Sequence, residues 1–249
     1  LLEKHGNAVA ISSVEDPVEQ NLDWVNQSSL NPARGYNYPA ALRSLMRQDP
    51  EIIMVGEIRD EETAEIAINA GMTGHLVIST LHSNTTSGTF ARLINMDIEP
   101  FLLASTIIGV LGVRLLRTNC MHCAVPYTPE PYALEQLLQF EGNEYLQALM
   151  DQQGFYKGNG CSACSNTGFS GRSSINELMV CDEAIREAVM QKRASRDIQA
   201  LSVEAGMRTL WDSALQMVVD RKTTLEETLQ KVAADQVWGG LYAGVMGSR

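Results

Sequence analysis

Two glutamates in this chain each follow a run of apolar or small residues: Glu57 closes "IIMVGE" and Glu15 closes "AVAISSVE". A run such as Ile52 to Val55 suits a strand buried inside a parallel sheet, and Gly56 then frees the backbone before the carboxylate. In open α/β sheets, ligands gather beyond the carboxyl ends of strands, so acids there can hold a metal or a water. A third run, "HLVISTLH", sets His75 before a short strand and His82 after it. Phosphoryl transfer to water uses such groups. One carboxylate orients Mg²⁺, another positions or deprotonates the attacking water, and a polar side chain such as His82 reads the terminal phosphate. Taken singly, each acid could equally be a helix cap or a surface ion pair; their shared place at strand ends argues for chemistry.

A second constellation is made of sulfur. Four of the five cysteines form two C-x-x-C knuckles, Cys120 with Cys123 and Cys161 with Cys164, while Cys181 stands alone. Four thiolates satisfy tetrahedral Zn²⁺ and leave no open position, so the pattern predicts a structural zinc site. A redox C-x-x-C would not need doubling, and disulfides do not fit a reducing compartment.

The elements that must position these groups are legible as punctuation. A strand is expected over Ala8–Val14, stopped by Glu15, Asp16 and Pro17. Asn37 can cap a helix through "YPAALRSLMR", with Pro39 in its first turn, and Asp60 can cap "EETAEIAINA", ending at Gly71. With strands at Ile52–Val55 and Leu76–Thr80, strand and helix alternate, which predicts a mainly parallel, helix-covered sheet. Helices are expected at Thr85–Ile94 and from about Pro100 to Leu116. Within the latter, Phe101–Val113 reads as a core helix, too short for a membrane span.

Between the knuckles lies a polar, helical-looking insert around Pro131–Gln152, followed by turn glycines in "NTGFSGR". From Asp182 onward the pattern is helical, and Thr224 with Glu227 reads as a capping box. The glycine-rich end reads as a loose tail. The opening "LLEKHG" reads as the tail of a helix ending near Gly6, which suggests an upstream piece. The 249 residues carry a formal net charge of -11, which argues against a broad nucleic-acid surface or bulk-charge binding to an anionic membrane.

Four ordered blocks resemble the ATPases of type II secretion and type IV pilus assembly, members of the RecA-like secretion superfamily. "VEDPVEQ" resembles their aspartate box, "RQDPEIIMVGEIRD" their Walker B segment, "TGHLVISTLHSNT" their histidine box, and "CMHC" with "CSAC" their tetracysteine site. The resemblance implies an α/β fold with a partial RecA-like core over residues 1–118. A zinc subdomain over 119–171, a helical region over 172–235 and a tail over 236–249 would follow. It implies Glu57 as the Walker B acid near Mg²⁺, Glu15 as the acid that activates water, and His82 as phosphate sensor. Asp16, Arg59 and His75 are then candidates for cofactor contacts, although His75 equally suits a structural role. Arg43 and Arg47, four residues apart, share a helix face that could border a neighbouring subunit or equally be a solvated charged face.

The resemblance further implies a homo-hexamer using ATP, Mg²⁺ and Zn²⁺. Such a motor would be cytoplasmic and peripheral to the inner membrane, working on the cytoplasmic domains of secretion or pilus platform proteins. The retraction branch of the superfamily lacks the tetracysteine module, so secretion or pilus extension is favoured. One departure is plain: no G-x-x-x-x-G-K-[ST] occurs in the sequence, so a P-loop's backbone nest, lysine and magnesium hydroxyl are absent from it. The competing expectation is therefore a zinc-containing binding or regulatory module that does not hydrolyse nucleotide.

Overall fold

The computed structural model describes residues 9–138 and 154–233. It divides into two compact units. The first comprises residues up to Ser83 together with Ser87–Ile108 and Cys181–Ile198; the second comprises Asn84–Thr86, Gly109–Val180 and the residues from Gln199 onward.

The first unit is built on four parallel strands: β1 (Ile11–Glu15), β2 (Val25–Ser29), β3 (Ile52–Val55) and β4 (Leu76–Ser79), in the order β2-β1-β3-β4. β1 is covered on both faces, so even its Ser12 and Ser13 are buried. Helix α1 (Tyr38–Leu45) begins where the Asn37 side chain accepts from the Ala40 amide, and it lays Tyr38, Leu42 and Leu45 on the sheet core beside Val14, Ile53 and Val55. Helix α2 (Glu61–Met72) is capped by Asp60, whose carboxylate accepts from Thr63 N. Both caps match the sequence, because each is a local contest that Asn or Asp wins. Two short helices follow, α3 (Gly88–Ile94) and α4 (Pro100–Thr106).

β2 was not anticipated. Its sequence, "VNQSS", has no apolar alternation because it is an edge strand that exposes much of its surface, and pairing with β1 alone holds it.

The expected long helix to Leu116 is a correction. α4 ends at Thr106, Ile107 turns extended, and β5 runs from Gly109 to Asn119. A Cβ on Gly109 would lie 3.0 Å from the Met179 carbonyl, and one on Gly112 would lie 2.9 Å from Thr86 Cγ2, so both glycines serve close approach in a strand. Leu111, Val113 and Leu115 are exposed while the residues between them are more buried, a period of two that the apolar density disguised.

In the second unit β5 pairs antiparallel with β8 (Phe169–Val180), a strand that the glycines of "NTGFSGR" concealed in the sequence. A small antiparallel pair, β6 (Ala124–Tyr127) with β7 (Phe155–Gly158), carries the knuckles, and helix α5 (Pro131–Leu138) begins the insert. Of the later helices, α6 (Glu183–Met190) belongs to the first unit; α7 (Ser195–Glu204), α8 (Leu210–Val219) and the single turn α9 (Leu225–Thr228) follow it, and α9 runs on into a π-helix over Leu229–Ala233. The second unit's core joins Leu116 and Ile175 to Trp211, Leu215 and Leu225.

The capping box at Thr224 forms only in half. Thr224 Oγ1 accepts from Glu227 N, but the Glu227 carboxylate turns away to Arg117. The expected opening helix tail, the latter part of the insert and the terminal tail lie outside the described residues.

Candidate functional site

Glu15 is the last residue of β1, and its carboxylate is held from two strands. Ser13 Oγ donates to Glu15 Oε1 at 2.6 Å, and Gln27 Nε2 donates to the same oxygen at 2.9 Å. Ser13 and Gln27 are register partners across β1 and β2, so the edge strand missing from the sequence reading supplies an orienting group. No apolar pattern could have found Gln27.

Glu57 lies two residues beyond β3, beside the exit of β1. Gly56 N donates to Val14 O at 2.8 Å, and a Cβ on Gly56 would sit 3.4 Å from Glu15 Cα. The two acids therefore leave neighbouring parallel strands at the same end of the sheet. Arg59 Nη2 donates to Glu57 Oε1, and His82 Nε2 lies 3.7 Å from Glu57 Oε2. The bond from Arg59 holds the Glu57 carboxyl below its ordinary range, outweighing partial burial, with the charges of Arg59 and His82 adding to it.

His82 reaches Glu57 because two bonds tie the exits of β3 and β4 together. Ile58 N donates to Thr80 O at 2.9 Å, and Thr80 Oγ1 donates to Gly56 O at 2.7 Å. The imidazole itself is 90% exposed, available to a ligand. Asp16 follows Glu15 at this edge and is exposed.

His75 does not join the group. It precedes β4, at the opposite end of the sheet, where its Nδ1 lies 3.0 Å from the Ala70 carbonyl and 3.2 Å from Thr73 Oγ1. Its bonds finish the C-terminus of α2. Arg43 pairs with Glu62 at 2.7 Å across the exposed surfaces of α1 and α2.

Tyr38 is the polar residue that the motifs did not single out. A Cβ on Gly56 would meet the Tyr38 hydroxyl at 2.7 Å. Burial raises the phenol's pKa, and the carboxylates of Glu57, Asp16 and Glu15 raise it further against the opposing charge of Arg59.

In the second unit, Cys120, Cys123, Cys161 and Cys164 gather with all four sulfurs within 4.8 Å of one another. The separations are 3.8 Å for Cys120 with Cys161, 3.9 Å for Cys123 with Cys164 and 3.7 Å for Cys161 with Cys164. A tetrahedron of four metal–sulfur bonds near 2.3 Å has edges of about 3.8 Å, so the cluster fits a closed zinc site. Amides also serve the sulfurs: Cys161 N and Gly168 N donate to Cys164 Sγ at 3.2 and 3.3 Å. Burial opposes ionisation of Cys164, yet these donations and the neighbouring thiols bring it down to about 6. The knuckles can approach because Gly158 and Gly168 cross without side chains; a Cβ on Gly158 would meet Gly168 O at 1.9 Å. Cys181 takes no part; burial pushes its thiol up to about 11.

Among the described residues, no helix is long and apolar enough to cross a membrane.

Residues 1–230 match the family described as "Type II/IV secretion system protein". The sequence is 43% identical over 219 residues to the type IV pilus assembly ATPase PilB of Thermus thermophilus, covering 88% of this chain and 24% of that protein. It is 42% identical over 220 residues to the type II secretion system protein HxcR of Pseudomonas aeruginosa, covering 88% and 42%. Against the type II secretion system ATPase E of Vibrio cholerae the identity is 38% over 230 residues, covering 92% and 44%. The chain thus spans less than half the length of these relatives. Its fold is similar to that of the pilus retraction motor PilT with bound ADP, with a TM-score of 0.60 at 24% identity over 89% of this chain and 52% of that one. The Yersinia pseudotuberculosis ATPase DotB gives a TM-score of 0.63 at 18% identity, over 91% and 50%. At such identities the likeness is one of fold.

Proposed function

We propose that this chain, which belongs to the type II/IV secretion system protein family, forms the Walker B half of an ATP-hydrolysing motor for pilin or pseudopilin assembly. The observation that carries the reading is the exit of Glu15 and Glu57 from adjacent parallel strands at one end of the sheet, with His82 against Glu57. In this proposal Glu57 orients Mg²⁺, Glu15 positions or deprotonates the attacking water, and His82 reads the terminal phosphate. Mg²⁺ would supply charge neutralisation at the phosphates. Arg59 holds the Glu57 carboxylate ionised, and Ser13 with Gln27 fixes the rotamer of Glu15.

The tetracysteine cluster would hold zinc as a structural pin and perform no chemistry. The names of the relatives support a place in pilus assembly or type II secretion. A homo-hexamer working at the cytoplasmic face of the inner membrane, on platform proteins, belongs to the same proposal.

A second reading has one observation in its favour. The 249 residues contain no phosphate-binding loop, so the chain by itself would act as a zinc-containing module without turnover. The deciding experiment compares ATP hydrolysis by this chain with that of a longer protein carrying the loop. The motor reading expects turnover only in the longer protein. There, Glu57→Gln should lower kcat by about a hundredfold or more while nucleotide still binds. Full turnover in that variant would refute the assignment of Glu57.

A further inference from the structure

The crossover from β1 to β2 occupies residues 16–24, and side chains of β2 reach back to hold it. Ser29 Oγ accepts from Val18 N at 3.2 Å. Gln27 holds the crossover twice: its Oε1 accepts from Leu22 N at 2.7 Å, and its Nε2 donates to Gln20 O at 3.1 Å. The same Nε2 donates to Glu15 Oε1 at 2.9 Å. One primary amide thus commits both N–H groups and its oxygen to three partners, one of which is the carboxylate.

These bonds are not independent. An amide that turned over about its last torsion would exchange oxygen for nitrogen. Its NH₂ would then face the Leu22 N–H, and its oxygen would face the Gln20 carbonyl and the Glu15 carboxylate. Every contact would pair like with like. The loop backbone therefore dictates that Gln27 presents a donor to Glu15. Ser13 Oγ donates to the same carboxylate oxygen at 2.6 Å, so both bonds fall on Oε1 and Oε2 has no hydrogen-bond partner among the described residues.

We propose that the backbone of Gln20 and Leu22 belongs to the hydrolytic site: through the Gln27 amide it sets the Glu15 carboxylate, with Oε1 tied and Oε2 open toward water. Gln27 is then a positioning residue, and the loop controls it. The inference rests on the reading of that site as an ATP-hydrolysing one. Leu22 and Trp24 are 41% and 70% exposed, so the loop can shift without uncovering a core, and a shift that broke its bonds to Gln27 would release the carboxylate.

In the longer protein carrying the phosphate loop, Gln27→Met keeps the side chain's length and removes all three bonds. It should lower kcat about tenfold with KM for ATP changed by less than about twofold, because Glu15 serves the water and not nucleotide binding. Gln27→Glu keeps the shape and the bond from Leu22 N but turns an oxygen toward Glu15, and should lower kcat at least as far. Leu22→Pro deletes the loop's amide donor; it should reproduce part of the loss, yet add little to it in the Gln27→Met background. Asp23→Pro is the control for a stiffened loop. Asp23 is the second residue of the turn that Val25 N closes on Leu22 O at 3.4 Å, with Trp24 third at φ 69°, a setting that suits proline and spares the Leu22 amide. It should leave kcat unchanged. In this chain alone, the NMR resonance of the Glu15 carboxyl carbon, assigned through its loss in Glu15→Gln, should move in Gln27→Met and in Leu22→Pro but not in Asp23→Pro.

Normal kcat in both folded Gln27 variants beside a dead Glu57→Gln variant would overturn the role of Gln27 and leave the motor reading standing. A raised kcat would overturn it too, since the amide would then be holding Glu15 out of place. Additive losses from Leu22→Pro and Gln27→Met would remove the loop from the site. No turnover in the longer wild-type protein would instead overturn the motor reading; an unmoved Glu15 resonance in Leu22→Pro would refute the loop's hold on the carboxylate whatever the turnover.

Discussion

Arg117 on β5 spans 110 positions of sequence to bond Glu227 on α9: its Nε donates to Glu227 Oε2 at 2.8 Å and its own backbone amide donates to Oε1 at 3.1 Å. The two partners are unequal, since the Glu227 side chain is 1% exposed and that of Arg117 is 49% exposed. Removing Arg117 strands a buried carboxylate, whereas removing Glu227 leaves a cation that water can reach. Arg117→Met is therefore expected to cost about 3 kcal/mol or more, and Glu227→Gln about 1 to 2. Denaturant unfolding of the second unit measures both, and equal costs would contradict the asymmetry.

The same pair predicts an acid response. Burial pushes the Glu227 carboxyl up, but the bonds from Arg117 outweigh it and hold the folded pKa below 4.5. The stability it contributes is complete above 4.5 and is lost as pH falls through the lower folded value. Glu227→Gln should therefore flatten the acid side of the stability profile while leaving its neutral side sloped as before.

For the cysteine cluster, metal analysis should give close to one zinc per chain. Cys161→Ser should release it, because opening one corner of a closed four-thiolate site removes both a bond and its charge. The loss should spread along a defined route. Asn119, next to Cys120, bonds the carbonyls of Tyr156 and Arg221, so amide exchange should rise in β7 and around Arg221 before it rises in the parallel sheet. Protein purified without chelator and found metal-free would sink the zinc assignment.

Gly56 is predicted to tolerate no side chain cheaply. An alanine Cβ would meet the Tyr38 hydroxyl at 2.7 Å and the Val14 carbonyl at 3.3 Å, so Gly56→Ala should destabilise the first unit by about 1–3 kcal/mol. Adding Tyr38→Phe should return part of that loss, since it removes the nearer clash and leaves the backbone one. A double-mutant cycle of melting measurements reads the coupling; strict additivity would place the strain elsewhere.

Arg59 sets a pH prediction for the longer protein. Its bond lowers the Glu57 pKa, so Arg59→Gln should raise that pKa and move the acid limb of hydrolysis to higher pH. An unshifted limb would mean that a group other than Glu57 governs it.

The sequence by itself determined what is settled within a few residues. The caps at Asn37 and Asp60 are local geometry that no distant contact has to complete, and the apolar run Ile52–Val55 and the two Cys-x-x-C spacings carry their signals within a few residues. It also placed Glu15 and Glu57 at strand ends, because parallel topology follows from alternating strand and helix. Tertiary structure decided the rest. β2 exists because β1 offers it an edge, and β8 is a strand because β5 pairs along its length. Glu227, locally poised to close a capping box, was claimed by Arg117. Tyr38 became a polar neighbour of the site only when α1 packed its ring against the exit of β3. In each case the deciding partner lies far along the chain, where neither propensity nor periodicity carries information about it.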